Sequence, residues 1–217
     1  LGVGLLCGLA NGALVSWGKL PPFIATLGMM SVARGAALLY TDGRPVSGFP
    51  ASFRWISTGV IAQVPSPVIL MAVIYAVAHF VLTRTKLGRY TYAMGGNEEA
   101  AILSGVSVKV YKMWVYGFCG SFSGLAAIIL TARLNSAQPI AGMMYELDAI
   151  AATVIGGTSL MGGEGTIPGT LIGALIMGVL RNGLNILGVS SFVQQIVIGS
   201  VIVIAVLADM ALKNKRK

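Results

Sequence analysis

Charge is what this chain has least of. Only 10% of its 217 residues are Asp, Glu, Lys or Arg, against about 25% in an average soluble domain. That scarcity excludes an ordinary soluble domain, whose outer faces need charge. Histidine is nearly absent: His79 is the only one. No second histidine completes an H-E-x-x-H zinc site, and a Ser-His-Asp triad would have to use His79 in its apolar run. It reads as a packed or interfacial histidine. Two cysteines, Cys7 and Cys119, give neither a disulfide framework nor metal-ligand spacing. Both fall in apolar runs, where inert buried thiols are expected. No Gly-Lys-Ser or Gly-Lys-Thr occurs, so the chain carries no Walker A loop to cradle a nucleotide.

What the chain has in quantity is apolar surface and glycine. Hydrophobic residues make up 56%, with 29 glycines. Close helix packing through small residues uses that combination in lipid. A spanning helix needs about 20 apolar residues, and four runs qualify: residues 1–17, 67–82, 113–132 and 192–212. A fifth, residues 23–40, carries Arg34 after Pro21-Pro22 and is expected to be short or partly re-entrant. Residues 149–187 stay apolar but are broken by Gly156-Gly157 and Gly162-Gly163-Glu164-Gly165. Two shorter elements, 149–161 and 167–187, are expected there with a glycine-rich corner between them. The fold class is therefore all-α: a polytopic membrane helix bundle of about six to seven membrane segments, with one broken helix. Leu1 begins inside an apolar run, without methionine or a signal-peptide pattern, so preceding helices are expected.

Cations set the sidedness. Nine of fifteen Lys and Arg lie in the loop 83–112 and the tail 213–217, which assigns both to the cytoplasm. Topology and anionic headgroups explain the net charge of +8 better than nucleic acid, since no aromatic-studded basic groove accompanies it. Four crossings then separate loop from tail: 113–132, 149–161, 167–187 and 192–212. Residues 41–66 fall outside. Within the loop lies a polar, helix-prone island, residues 95–106. Asn97 is placed to cap its helix, Glu98 and Glu99 stand in the first turn, and Gly105 ends it. Ile102 and Leu103 give it a small apolar face. It is either a surface for a cytosolic partner or a solvated joint between two spans.

Glycines recur every four residues at Gly4, Gly8 and Gly12 and again at Gly165, Gly169 and Gly173, with a further pair at Gly120 and Gly124. Each set is expected to form a helix contact. Polar residues near membrane depth are few, and each is a candidate for a transport path. Arg133, Asn135 and Gln138 begin a loop expected on the outer face and ending at Asp148. Glu146 and Asp148 either cap the following helix or face the path or a partner. Asn182 and Asn185 share one helix face, and Gln194 and Gln195 follow. Neutral amides suit a neutral, hydroxyl-rich solute, although the same groups can tie helices together.

These residues also carry a family pattern. Lys19-Leu20-Pro21-Pro22-Phe23 opens it, followed by Leu87-Gly88-Arg89-Tyr90, Ala93-Met94-Gly95-Gly96-Asn97-Glu98 and Leu103-Ser104-Gly105. Ala132-Arg133-Leu134, Ser136-Ala137-Gln138-Pro139 and the run Tyr145 to Ala152 come next. Gly156-Gly157-Thr158-Ser159-Leu160 and Asn182-Gly183-Leu184-Asn185 close it. In this order, over essentially the whole chain, the pattern resembles the membrane permeases of sugar-importing ABC transporters: those for ribose, xylose, galactose, arabinose and autoinducer-2.

The resemblance implies one permease domain over residues 1–217 in the cell inner membrane, importing ribose or a related sugar. It implies a second permease copy, a cytosolic ATP-binding subunit and a periplasmic sugar-binding protein as partners. No cofactor is expected on this chain, ATP and magnesium belonging to the ATPase. Gly96, Asn97, Glu98, Glu99, Leu103, Ser104 and Gly105 would form the coupling segment that enters a groove of that subunit. A secondary carrier or channel is the rival reading, since broken helices occur there too. A membrane enzyme is disfavoured by the lack of any His, Cys or paired-carboxylate constellation at depth.

Overall fold

A computed structural model describes residues 1–214. The chain is built of α1 (Gly2–Ser16), α2 (Pro22–Thr41), β1 (Val46–Ser47), α3 (Ala51–Thr58), β2 (Val60–Ile61), β3 (Val64–Pro65) and α4 (Ser66–Arg84). The cation-rich loop follows as α5 (Lys86–Gly96) and α6 (Glu98–Leu103). Then come α7 (Val108–Leu134), β4 (Ser136–Ala137), α8 (Tyr145–Ile155), α9 (Ile167–Ile186) and α10 (Ser191–Asn214). Five of these helices, α2, α4, α7, α9 and most of α10, are long and apolar enough to cross a bilayer. The expected tail 213–217 lies outside the described residues beyond Asn214.

The expected re-entrant segment at 23–40 is instead one continuous helix of 20 residues, α2. Pro22 stands in its first turn, where a missing N–H costs nothing. Only one of its residues, Ala25, is buried within the chain. Leu39, Val179 and Phe192 are more than 70% exposed, a pattern that lipid or neighbouring helices must cover.

The chain divides into two compact units. The first comprises residues 1–77 and 100–142. Its centre is an antiparallel contact of α1 with α7, made at bare backbone. A Cβ on Gly4 would strike the Gly120 carbonyl, one on Gly8 the Tyr116 carbonyl, and one on Gly12 the Met113 backbone. The four-residue glycine repeat therefore is a helix contact, and Gly120 supplies the opposing surface. In the same unit β1 pairs antiparallel with β4, Val46 opposite Ala137 and Ser47 opposite Ser136. The segment before α4 and the segment after α7 thus lie at one end of this unit, as two crossings in opposite directions require.

The second unit comprises residues 78–99 and 143–217. Its core joins α8, α9 and α10 through Ala151, Ala152, Met177 and Ile198. Alanine at 151 and 152 and glycine at 156, 169 and 173 let α8 and α9 approach to backbone distance. A Cβ on Gly173 would strike the Ala152 carbonyl, and one on Gly169 the Gly156 carbonyl. Gly165 departs from the expected triplet. It precedes α9, with φ +155°, and a Cβ there would meet Thr158. Thr166 is the N-cap, its hydroxyl accepting from the Gly169 N–H at 3.1 Å.

Sequence reading placed a crossing helix at 149–161. The helix found, α8, has 11 residues and ends at Ile155. At 1.5 Å per residue it is about 16 Å long, half of the roughly 30 Å hydrocarbon core. Gly156-Gly157 stop it: Gly157 is left-handed at φ +83°, a conformation costly for any residue with a Cβ.

Candidate functional site

The glycine corner between α8 and α9 packs against α5, within the second unit. The Tyr92 hydroxyl donates to the Gly165 carbonyl at 2.6 Å. Gly95 and Gly96 lie against the backbone of Gly162 and Gly163, so closely that a Cβ on Gly95 would strike the Gly163 N–H. Gly162 and Gly163 themselves hold φ values of +86° and +78°. Inside the corner the Ser159 N–H donates to the Glu164 carbonyl at 3.1 Å. The Ser159 hydroxyl serves twice, accepting from the Met161 N–H at 3.2 Å and donating to Asp209 on α10 at 3.3 Å. The corner's backbone thus finds protein partners at Gly162, Gly163 and Gly165, while Leu160 and Met161 stay exposed.

This contact repairs the parity that the short α8 would break. Because α5 belongs to the cation-rich loop, the corner beside it lies on that loop's side. α8 and the corner together return the chain there, and α9 starts out from it.

The island's helix is α6, and the island's first two residues close a separate helix, α5. Gly96 is the last residue of α5, and Asn97, in an extended conformation with φ −155°, joins it to α6. Glu98 and Glu99 fill the first turn of α6 as expected. Its end is a Schellman motif: the Gly105 N–H donates to Ile102 and the Val106 N–H to Ala101, at 2.9 and 3.1 Å. Gly105 takes φ +81° to allow it. Ser104 donates its hydroxyl to the Ala100 carbonyl. Ala101 is buried, whereas Ile102 is 55% and Leu103 88% exposed.

At the end of the second unit away from the corner lies a polar cluster. The α8–α9 seam that pairs Gly156 with Gly169 and Ala152 with Gly173 ends at Asp148 and Arg181. Arg181 Nη2 stands 2.9 Å from Asp148 Oδ1 and 2.7 Å from Oδ2. Asp148 was expected to cap α8 or face a path. It sits in the first turn of α8, but its partner is this arginine. Tyr145, Met177 and Gly178 complete an open concavity of about 240 Å³ around the pair. Glu146, also in the first turn, is exposed.

Asn185 and Gln194 are brought together as well. Gln194 Nε2 donates to Asn185 Oδ1 at 2.8 Å and to the Val189 carbonyl at 2.9 Å. This pair ties α9 to α10 across their turn, the structural role that amides can play. Asn182 is exposed and does not join it.

Arg133, Asn135 and Gln138 belong to the first unit. They do not lie in one continuous outer loop, because Arg133 is in the last turn of α7. There its charge favours the negative helix end. Asn135 ends α7 in the left-handed region, its Oδ1 buried and unpartnered among the described residues. Gln138 is exposed beyond β4. Cys7 is half-buried and Cys119 exposed, which corrects the expectation of two buried thiols.

Arg181 is the residue sequence reading missed. It is the only Lys or Arg between Leu134 and Leu212. A lone cation inside an apolar helix needs a partner, and that need was the available signal.

The helices and their exposed apolar faces define a polytopic helical membrane protein. Residues 1–206 match the family described as the permease component of the branched-chain amino acid transport system, and the chain belongs to that family. It is 50% identical to the ribose import permease protein of Haemophilus influenzae, an alignment covering 99% of this chain and 68% of that protein. Identity to the ribose import permease protein of Bacillus subtilis is 54%, covering 92% and 62%. The D-allose transport system permease protein of Escherichia coli is 43% identical over 95% of this chain and 64% of its own length. The chain thus spans about two thirds of the curated relatives it matches. No solved structure matches it.

Proposed function

We propose that this chain is the membrane-spanning part of an ATP-driven importer that carries ribose or a closely related sugar across the cytoplasmic membrane. The observation that carries the substrate is the gradient of identity: 50–54% to ribose import permeases against 43% to the D-allose permease. The chain has no nucleotide loop, so energy enters from a separate cytosolic ATPase. A binding protein delivers sugar at the opposite face, and a second permease copy completes the pathway.

The mechanism runs along the chain from α6, whose residues from Ala100 onward belong to the first unit, into the contacts of the second unit. α6 presents Ile102 and Leu103 to the ATPase, and Asn97 joins α6 to α5. Tyr92, Gly95 and Gly96 hold the glycine corner, from which α8 and α9 run as a backbone-packed pair to the polar cluster. Along α9, Arg181 lies about 21 Å from Ile167, at 1.5 Å per residue. A pair packed without intervening side chains shifts as a rigid body. Movement of α6 against the ATPase is thereby passed to the far end of the seam.

Uptake of labelled sugars by cells lacking their own ribose permease tests the substrate. The transporter carrying this chain is expected to restore ribose uptake, with allose competing weakly. Restored uptake of a different pentose without ribose would overturn the substrate assignment and leave the importer class standing.

A further inference from the structure

We infer that Tyr145, Asp148 and Arg181 form a hydroxyl-binding subsite for the sugar in transit. The inference rests on the sugar-import reading above and assigns that reading a place. Arg181 contacts Asp148 through Nη2 alone. Among the described residues its Nε and Nη1 make no hydrogen bond, so donors remain for a ligand. Each carboxylate oxygen likewise keeps a lone pair beyond its one contact. Donors and acceptors therefore stand side by side, the complement of a sugar hydroxyl, which both donates and accepts.

The paired charges also discriminate. A free cation meets the guanidinium, a free anion meets the carboxylate, and neither gains from a site whose two charges cancel. A neutral polyol can use both halves. The pair is partly open, with 40% of the Arg181 and 25% of the Asp148 side chain exposed. Solvent competition keeps such hydrogen bonds weak, which a passing substrate requires. The Tyr145 ring at the rim offers an apolar face for the C–H side of a sugar ring.

Gly178 makes the volume. It lines the concavity, and a Cβ added there meets nothing within 4 Å. Every glycine of the α8–α9 seam, by contrast, is pressed against backbone. Gly28, Gly35, Gly183 and Gly199 are helix glycines with the same open space; at Gly178 that space belongs to the concavity beside the ion pair.

Two variants of the transporter, assembled with its ATPase and binding protein, test the assignment by uptake per folded transporter in the membrane. Gly178→Leu places a side chain in the concavity from a position where its Cβ meets nothing within 4 Å. Asp148→Arg combined with Arg181→Asp keeps the ion pair across the seam but exchanges the positions of donor and acceptor. Both are expected to lower uptake about tenfold or more, Gly178→Leu by occupying the sugar's place and the exchange by reversing the donor and acceptor that meet its hydroxyls. Unchanged uptake in either variant overturns the subsite, leaving a plain staple between α8 and α9. A wild-type transporter that imports none of a panel of pentoses and hexoses overturns the parent reading instead. Arg181→Lys separates the two roles further: it keeps charge, hence abundance, but removes the planar fork, and is expected to raise the half-saturating sugar concentration. An unaltered half-saturation in Arg181→Lys would count against the subsite.

Discussion

At the scale of single residues, glycine does two different things in this chain. At Gly8 and Gly173 a missing side chain is a contact, because the facing atoms are carbonyl backbone. Gly8→Leu and Gly173→Leu are each expected to destabilise by about 1–3 kcal/mol or more, as overpacking does. Folded transporter in membranes should fall, as judged by detergent-resistant monodispersity on size exclusion. Gly35→Leu in α2 has open space before it and should leave abundance unchanged. Equal abundance in all three variants would contradict the packing account. The spacing of Gly4, Gly8 and Gly12 made this contact legible in sequence. Gly165 misled the same rule, since spacing of four says nothing about whether a helix has yet begun. Arg181 was legible only as an unexplained cation: which carboxylate it meets depends on the α8–α9 seam, a long-range fact.

At the scale of elements, the long apolar helices were readable from composition, because lipid rewards an uninterrupted apolar run and nothing else. The short ones were not. α8 ends where Gly157 turns left-handed, six residues before the apolar character stops, and α5 was hidden in what reads as a polar loop. The clamp between α5 and the glycine corner gives a prediction at this scale. Tyr92→Phe removes one hydrogen bond, to the Gly165 carbonyl, worth about 1 kcal/mol. Abundance should hold while sugar moved per ATP hydrolysed falls, measured in vesicles that report both. An unchanged ratio would place transmission elsewhere. For α6, Leu103→Asp should sharply reduce ATPase pull-down from membranes while leaving insertion intact. Gly105→Val should do the same by forcing a β-branched side chain into φ +81°, a strain of about 1–2 kcal/mol. Undiminished pull-down in both would remove α6 as the coupling surface.

At the scale of the whole molecule, sidedness and energy source decide the account. We propose from the cation distribution that the island is cytoplasmic; the β1–β4 pairing puts residues 46–47 and 136–137 at one end of the first unit. With Cys7 and Cys119 replaced, a cysteine at Glu99 or Gly163 should resist an impermeant reagent in intact cells, and one at Ser136 should react. Rapid labelling at Glu99 would invert the topology. The measurement that reaches the central claim most directly is sugar uptake into vesicles carrying the transporter with its ATPase and binding protein. The account predicts that labelled ribose accumulates only when ATP is supplied on the ATPase side, and that collapsing the proton gradient leaves the rate unchanged. Accumulation without ATP, abolished by collapsing that gradient, would contradict it and identify a secondary carrier.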